Sequence, residues 1–220
     1  MGINVSCVVL SGFSGGVMNY IGFYWTLPVP WAGFNDLPSD PDEAAKASKT
    51  IRYQVERVRR WVNDAKGVLV AERVFLEIHP DRGSESIVPE IDRMIALAQK
   101  KDAQLVLVDF SEEMRWRKHG PLWDRLNETD RCVALDPIPM TIDFKNFIPS
   151  EHFSAWRKID DLHAAMKPHA RAALQVKIGD LKAQGSSYAA IAAELNENAI
   201  STVTGKPWTA DNVRKMLANR

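Results

Sequence analysis

The chain has 220 residues, of which 45% are hydrophobic and 25% charged. That apolar content suffices for a packed core and argues against a disordered chain, and the length suits one compact domain plus a small appendage. Formal net charge is zero, with 28 basic and 28 acidic residues, which argues against a chain coated in basic side chains. The balance is uneven, however. Residues 1–149 carry 18 Lys and Arg against 21 Asp and Glu, while residues 150–220 carry 10 against 7. A basic surplus at the C-terminal end has the sign expected of a segment that meets phosphate, but it is small.

Cys7 and Cys132 are the two cysteines, far apart and without partner spacing, so free thiols in a reducing, cytoplasmic compartment are expected. Met1 to Tyr20 is apolar and rich in Gly and Ser but lacks the positive start of a secretory signal. No apolar run reaches the roughly 18 residues of a membrane helix, so no membrane partner is expected. The run from Met18 to Trp25 reads as the natural beginning of a first core strand, leaving residues 1–17 as a leader that adds nothing to the fold.

In chain order, Tyr20 to Trp25 is a short aromatic segment suited to a buried strand. Thr26 to Asp42 carries Pro28, Pro30, Pro38 and Pro41 with Gly33, and is a long loop of the kind that often serves function. Trp25 and Trp31 around it could form a binding lip. Ile51, Val55, Val58 and Val62 repeat at helical spacing and predict one helix from about Ala45 to Ala65, ended by Gly67. A β-rich segment follows from Val68 to Ile78, then a polar turn over Pro80 to Glu85, then a helix over about Ile87 to Lys100. Gln104 to Phe110 is a continuous apolar run suited to the middle of a parallel sheet. Short helical stretches are expected at Glu112 to Lys118 and Pro121 to Asn127, and a last strand at Cys132 to Leu135. Alternation of β and α calls for parallel strands with helical crossovers, hence an α/β fold over residues 18–148.

Beyond Phe144 the pattern becomes helical. Phe153, Trp156, Ile159, Leu162 and Met166 mark a helix interrupted at Pro168, and Leu174, Ile178 and Leu181 continue it to Gly185. Residues 149–184 are therefore read as linker helices and residues 185–220 as a small all-α unit. Ser186 or Ser187 can cap a helix with Tyr188, Ile191, Ala192 and Leu195 facing inward. Thr209 can cap a final helix whose apolar face is Val213, Met216 and Leu217. Two short helices joined by a turn bearing Gly205 and Pro207 are the minimum for a unit that reads a DNA groove. The outward residues then include Thr209, Asn212 and Arg214, of types that meet base edges, with Lys206 and Lys215 placed for phosphate. A plain helical hairpin with a solvated charged face would show the same residue types.

The string from Gly185 to Arg220 resembles the DNA-binding module that follows the catalytic domain of serine recombinases of the resolvase and invertase class. Gly185, Ile191, Ala192, Leu195, Asn196, Gly205, Trp208, Val213 and Leu217 fall in order at the places that pattern requires. The resemblance implies a helix-turn-helix that binds double-stranded DNA. Asn19 to Pro139 is similar, more loosely, to the catalytic domain of the same family. Tyr24 closes a first strand, and Ser48, Ile51 and Gln54 resemble the start of the family's first helix. Asp81, Arg82 and Gly83 sit at the turn after its second strand, and Val106 to Asp109 resembles its third.

The chemistry implied by that resemblance does not carry over. The family needs a serine nucleophile just after the first strand and arginines to stabilise the pentacoordinate phosphate. A Tyr-x-Arg-x-Ser pattern supplies them, whereas this chain reads Tyr24-Trp25-Thr26-Leu27-Pro28. Thr26 is the nearest hydroxyl, and Ser48 is a second candidate. After the third strand Phe110 stands where an arginine is expected, Glu112 and Glu113 bring negative charge, and Arg115 and Arg117 are displaced. A DNA-binding regulator or accessory factor without strand cleavage is the first expectation. A divergent recombinase using Thr26 or Ser48 and a protein-interaction module remain open beside it, as does a homodimer. No cofactor or metal is expected: His79, His119, His152, His163 and His169 show no ligand spacing, and Gly12, Gly15 and Gly16 make no phosphate loop. His163 and His169 are read as solvated surface residues. Asp109, Glu112 and Glu113 as metal-binding acids are a weaker reading than a solvated helix start. Deleting residues 1–17 is expected to leave the thermal unfolding midpoint unchanged; a fall of several degrees would make them part of the fold.

Overall fold

The computed structural model describes residues 17–80, 82–113 and 118–218. Four strands, β1 (Asn19–Thr26), β2 (Val68–Leu76), β3 (Ala103–Val108) and β4 (Cys132–Leu135), form a parallel sheet in the order β2-β1-β3-β4. Helices α1 (Pro41–Ala47) and α2 (Lys49–Asp64) join β1 to β2, α3 (Val88–Lys101) joins β2 to β3, and α4 (Gly120–Asn127) joins β3 to β4. The fold is thus α/β with a parallel sheet flanked by helices, as the alternating pattern predicts, and it fits a resolvase-like architecture.

Alternation along β1 explains the layering. Tyr20 and Tyr24 join α2's Ile51, Val55, Val58 and Val62 in one core, while Ile21 and Phe23 join Ile91, Ala98, Leu122 and Leu126 of α3 and α4 in another. The first face also holds a polar knot. Tyr24 is fully buried, and its hydroxyl donates to Glu72 at 2.7 Å; Arg59 grips the same carboxylate through Nε and Nη2, both at 2.9 Å. Burial, and then the Glu72 charge, push the Tyr24 phenol far above its ordinary range, so it remains a donor.

Three sequence expectations are corrected. The single helix from Ala45 to Ala65 is two helices, because Ser48 adopts an extended conformation and caps the second, its Oγ accepting from the Ile51 amide at 3.3 Å. The interruption at Pro168 is absent: α5 (Pro149–Ala183) is continuous through it. Pro168 removes the N–H that would bond the Ala164 carbonyl, but this stretch is exposed, so water can take that carbonyl. A short antiparallel hairpin, β5 (Met140–Ile142) with β6 (Lys145–Phe147), follows the Asp136–Pro139 stop and has no counterpart in the sequence reading. The helix expected over Glu112 to Lys118 falls largely outside the described residues, with Ser111 to Glu113 forming a turn.

The long α5 helix is fastened near both ends. Near its start, Phe153 packs edge-on against Phe110 at 4.9 Å and His152 lies 3.2 Å from the Thr50 hydroxyl. Burial, aided by the Lys49 charge, lowers the His152 pKa and favours its neutral form. Near its end, Ile178 is buried with Ile191, Ala192 and Leu195 of α6 (Tyr188–Glu197) and Val213 of α7 (Ala210–Ala218), together with Trp208. The apolar positions read from the C-terminal sequence therefore do form one cluster. Of the leader read over residues 1–17, only Val17, which is exposed, lies within the described residues.

Cys132 is a free thiol on β4, and burial pushes its pKa up to about 12. Gly22 exists to make room: a Cβ there would overlap the Tyr24 hydroxyl and lie 2.7 Å from Cζ of the same ring. Gly22→Ala is accordingly expected to cost about 1–3 kcal/mol, the usual range for overpacking, read as a lowered urea midpoint.

Candidate functional site

In an open parallel sheet the crevice lies at the C-terminal ends of the strands, where successive crossovers leave in opposite directions. Here that point is between β1 and β3. Their pairing runs only from Asn19 with Ala103 to Gly22 with Val106, so the last residues of β1 have β2 alone as strand neighbour. Gln54, buried on α2, covers the gap. Its Nε2 donates to the Trp25 carbonyl at 2.9 Å and its Oε1 accepts from the Trp25 amide at 3.1 Å. The residue singled out for family resemblance thus acts here as a backbone clamp on the strand end that should carry the chemistry.

Beyond that clamp lies a small crevice lined by Trp25, Arg82, Asp109, Ser111, Lys118 and His119 among others. Behind His119 lies a buried carboxylate, Glu77, whose amide donates to the Thr26 carbonyl at 3.0 Å. Glu77 Oε1 accepts from the Ile78 amide at 2.8 Å, from Ser84 Oγ at 3.1 Å and from Ser86 Oγ; Oε2 lies 3.1 Å from His119 Nε2. Both Glu77 and His119 side chains are fully inaccessible. His119 Nδ1 accepts from the Leu122 amide at 3.4 Å and so caps α4, which leaves Nε2 as the protonated nitrogen donating to Glu77. With both ring nitrogens engaged, the histidine ties the loop after β2 to the start of α4. It has no lone pair left for a substrate proton. Sequence reasoning missed this pair: His119 was weighed only for metal spacing, and Glu77 was one charged residue at the end of a β-rich run.

The sequence-selected hydroxyls are placed apart in role. Thr26 is the last residue of β1, half-buried beside Glu77, while Ser48 is the joint between α1 and α2 with its Oγ committed to the cap. Phe110, where an arginine was expected, is a joint too: its ring packs on Tyr53 at 5.7 Å and on Phe153 at 4.9 Å. Arg157 of α5 donates to the Glu113 carbonyl at 2.6 Å. Burial, and then the neighbouring Glu112 charge, raise the Glu113 carboxyl above its ordinary value. Arg82 lines the crevice, whereas Asp81, Arg115 and Arg117 lie outside the described residues. The two tryptophans expected to form one lip part company. Trp25 meets His119 edge-on at 5.2 Å, and Trp31 stacks on His163 of α5 at 4.5 Å. His163 is therefore no solvated surface residue.

The C-terminal helices are built by side chains that hold backbone. Ser187 caps α6 by accepting from the Ala190 amide at 3.1 Å. Asn196 grips Trp208 twice, donating to its carbonyl at 3.0 Å and accepting from its amide at 2.8 Å. Thr209 and Asn212 cap α7 reciprocally: Thr209 Oγ1 accepts from the Asn212 amide at 3.3 Å, and Asn212 Oδ1 accepts from the Thr209 amide at 2.7 Å. These two candidates are engaged in the cap. Arg214 and Lys215 project from the exposed face, each 2.7 Å from Asp211, and Lys206 is exposed in the turn between the helices. Lys215, and then Arg214, hold the Asp211 carboxyl below its ordinary range.

Among the described residues, no group of three or more His, Cys, Asp or Glu side chains could hold a metal ion, and no helix is long and apolar enough to cross a membrane. Residues 170–220 match the family model described as Recombinase. No curated protein and no solved structure matches the chain. The family match spans the end of α5 together with α6 and α7, and it supports a recombinase relationship carried by that segment. Behind the crevice, Glu77→Ala would strand the His119 N–H and two serine hydroxyls. It is expected to lower stability by about 1–3 kcal/mol in denaturant titration, the range for leaving a buried hydrogen-bonding group unsatisfied.

Proposed function

We propose that this protein binds double-stranded DNA through α6 and α7 as a serine-recombinase-type helix-turn-helix over residues 185–220, and that it acts as a regulator or accessory factor without cleaving strands. The observation that carries the reading is the Recombinase match over residues 170–220, coincident with two capped helices packed on one apolar cluster. A recognition helix must bury one face and offer the other. Val213 is buried and Arg214 and Lys215 are exposed, which suits a helix read in that way. Lys206 and Lys215 are assigned to phosphate and Arg214 to a base edge, with Thr209 and Asn212 fixing the start of the helix.

Three positions together support the loss of cleavage. The strand end offers Thr26 in place of an arginine and serine pair, Phe110 is spent on packing, and Ser48 Oγ is spent on a helix cap. A phosphoryl-transfer site depends on positive charge around the transferred group. The segment after β3 instead brings Glu112 and Glu113. The same scaffold suits a homodimer: Ile159, Leu162 and Met166 lie at helical spacing along exposed α5 and form an apolar stripe for a second copy.

Electrophoretic mobility shift on duplex at low salt tests the binding. Arg214→Ala is expected to weaken binding by about 1–3 kcal/mol, roughly 5- to 160-fold, with an unchanged far-UV spectrum, and Lys215→Ala to reduce the salt slope by about one. Failure of the wild-type protein to retard any duplex would leave a protein-interaction module. On a nicked suicide duplex no covalent adduct is expected. An adduct that disappears in Thr26→Ala or Ser48→Ala would establish a divergent recombinase instead.

A further inference from the structure

The proline-rich segment after β1 is the one long excursion from the α/β body that neither the sheet edge nor the DNA-reading helices use. It is not shapeless. Val29 and Phe34 pair through both backbone groups, at 2.8 and 3.1 Å, and close a small loop. Within it Pro30 to Ala32 makes one tight turn ended by Gly33 at φ 75°. The tip of that closed loop is Trp31, and it touches two separate elements.

The first is α5. Trp31 stacks on the His163 ring at 4.5 Å and 17° between planes, and meets Trp156, two turns earlier on the same helix face, edge-on at 6.2 Å. The second is the turn between α6 and α7. A Cβ on Gly205 would lie 2.6 Å from the Pro30 carbonyl oxygen and 3.3 Å from the Trp31 Cα, so the two backbones approach only because residue 205 is glycine. Gly205 is one residue from Lys206. The fit is also incomplete, since His163 Nδ1 is buried by this contact region without a hydrogen-bond partner. A buried polar atom left unpaired disfavours the closed arrangement relative to one that opens it to water. The loop is seated one residue from Lys206, the residue assigned to phosphate, so a loop held there competes with a phosphate backbone for room at that turn.

We infer that the loop Val29–Phe34 is a latch: Trp31, seated on His163 and against Gly205, holds the turn between α6 and α7 to the α/β body, and its release raises affinity for duplex DNA. The inhibitory half of this inference rests on the DNA-binding reading above; the physical contact does not.

Hydrogen exchange and mobility shift on the full chain separate the two halves. In Trp31→Ala, peptides covering residues 202–208 are expected to exchange several-fold faster, and affinity for a duplex at low salt to rise roughly three- to tenfold, as when an open form passes from a minority to the dominant species. His163→Ala, made on α5 and independent of the folding of the loop, is expected to move both readouts in the same direction. Unchanged exchange over residues 202–208 in both variants overturns the latch, whatever the DNA result. Faster exchange with unchanged or weaker duplex binding overturns inhibition and makes the contact a brace. Faster exchange with no retardation of any duplex by either variant or the wild type overturns the DNA-binding reading, and with it the inhibitory role, while the contact stands.

Discussion

The structure turns on a strand that is paired on one side only. Past Gly22, β1 keeps β2 as neighbour but loses β3, and its exposed backbone edge would be left unsatisfied in the middle of the molecule. Gln54 supplies the missing donor and acceptor at Trp25. Once that edge is satisfied by a side chain, the two strands can part and a crevice can exist between their ends. His119 then forms part of its lining, held from behind by Glu77, and the pair is further satisfied by backbone and hydroxyl partners. The strand end leads straight into the proline loop, so the direction in which Trp31 departs is set by the same clamp.

A common thread links Phe110, Ser48 and Gln54, the positions that the likeness to serine recombinases brings forward. Each of them serves architecture in this structure. Phe110 meets Tyr53 at a tilt and Phe153 edge-on, and so docks α5. Ser48 divides one amphipathic run into two helices. The electrostatics agree, because Arg59 and Arg157 are turned to the protein's own carboxylate and carbonyl groups.

Much of the fold was legible because burial writes itself into residue type. The apolar run of β3 and the helical spacing of Ile51, Val55, Val58 and Val62 each identified an element, and the C-terminal apolar positions met in one cluster. What escaped was decided by single atoms. Ser48 reads as an ordinary helical residue until its backbone is seen to be extended, and Pro168 reads as a break until its surroundings are seen to be solvent. The β5–β6 hairpin is too short for its alternation to rise above the prolines before it. Glu77 and His119 are 42 positions apart, and no local pattern announces that they are one hydrogen-bonded pair. The candidate DNA-facing residues were legible as a group, but the sequence could not show that Thr209 and Asn212 spend their polar atoms on each other.

Pro168 sits between the two places where α5 is fastened, after His163 and before Ile178. A helix lacking one rung of its ladder has its lowest bending stiffness there, so the mechanically weak point of this 35-residue rod is set by covalent chemistry. Trp31 reaches across that point, touching His163 on the near side and the Gly205 turn carried by the far side. The loop therefore works as a splint laid over a joint. Its ring lies on one half of the rod and its backbone lies against the turn that the other half carries.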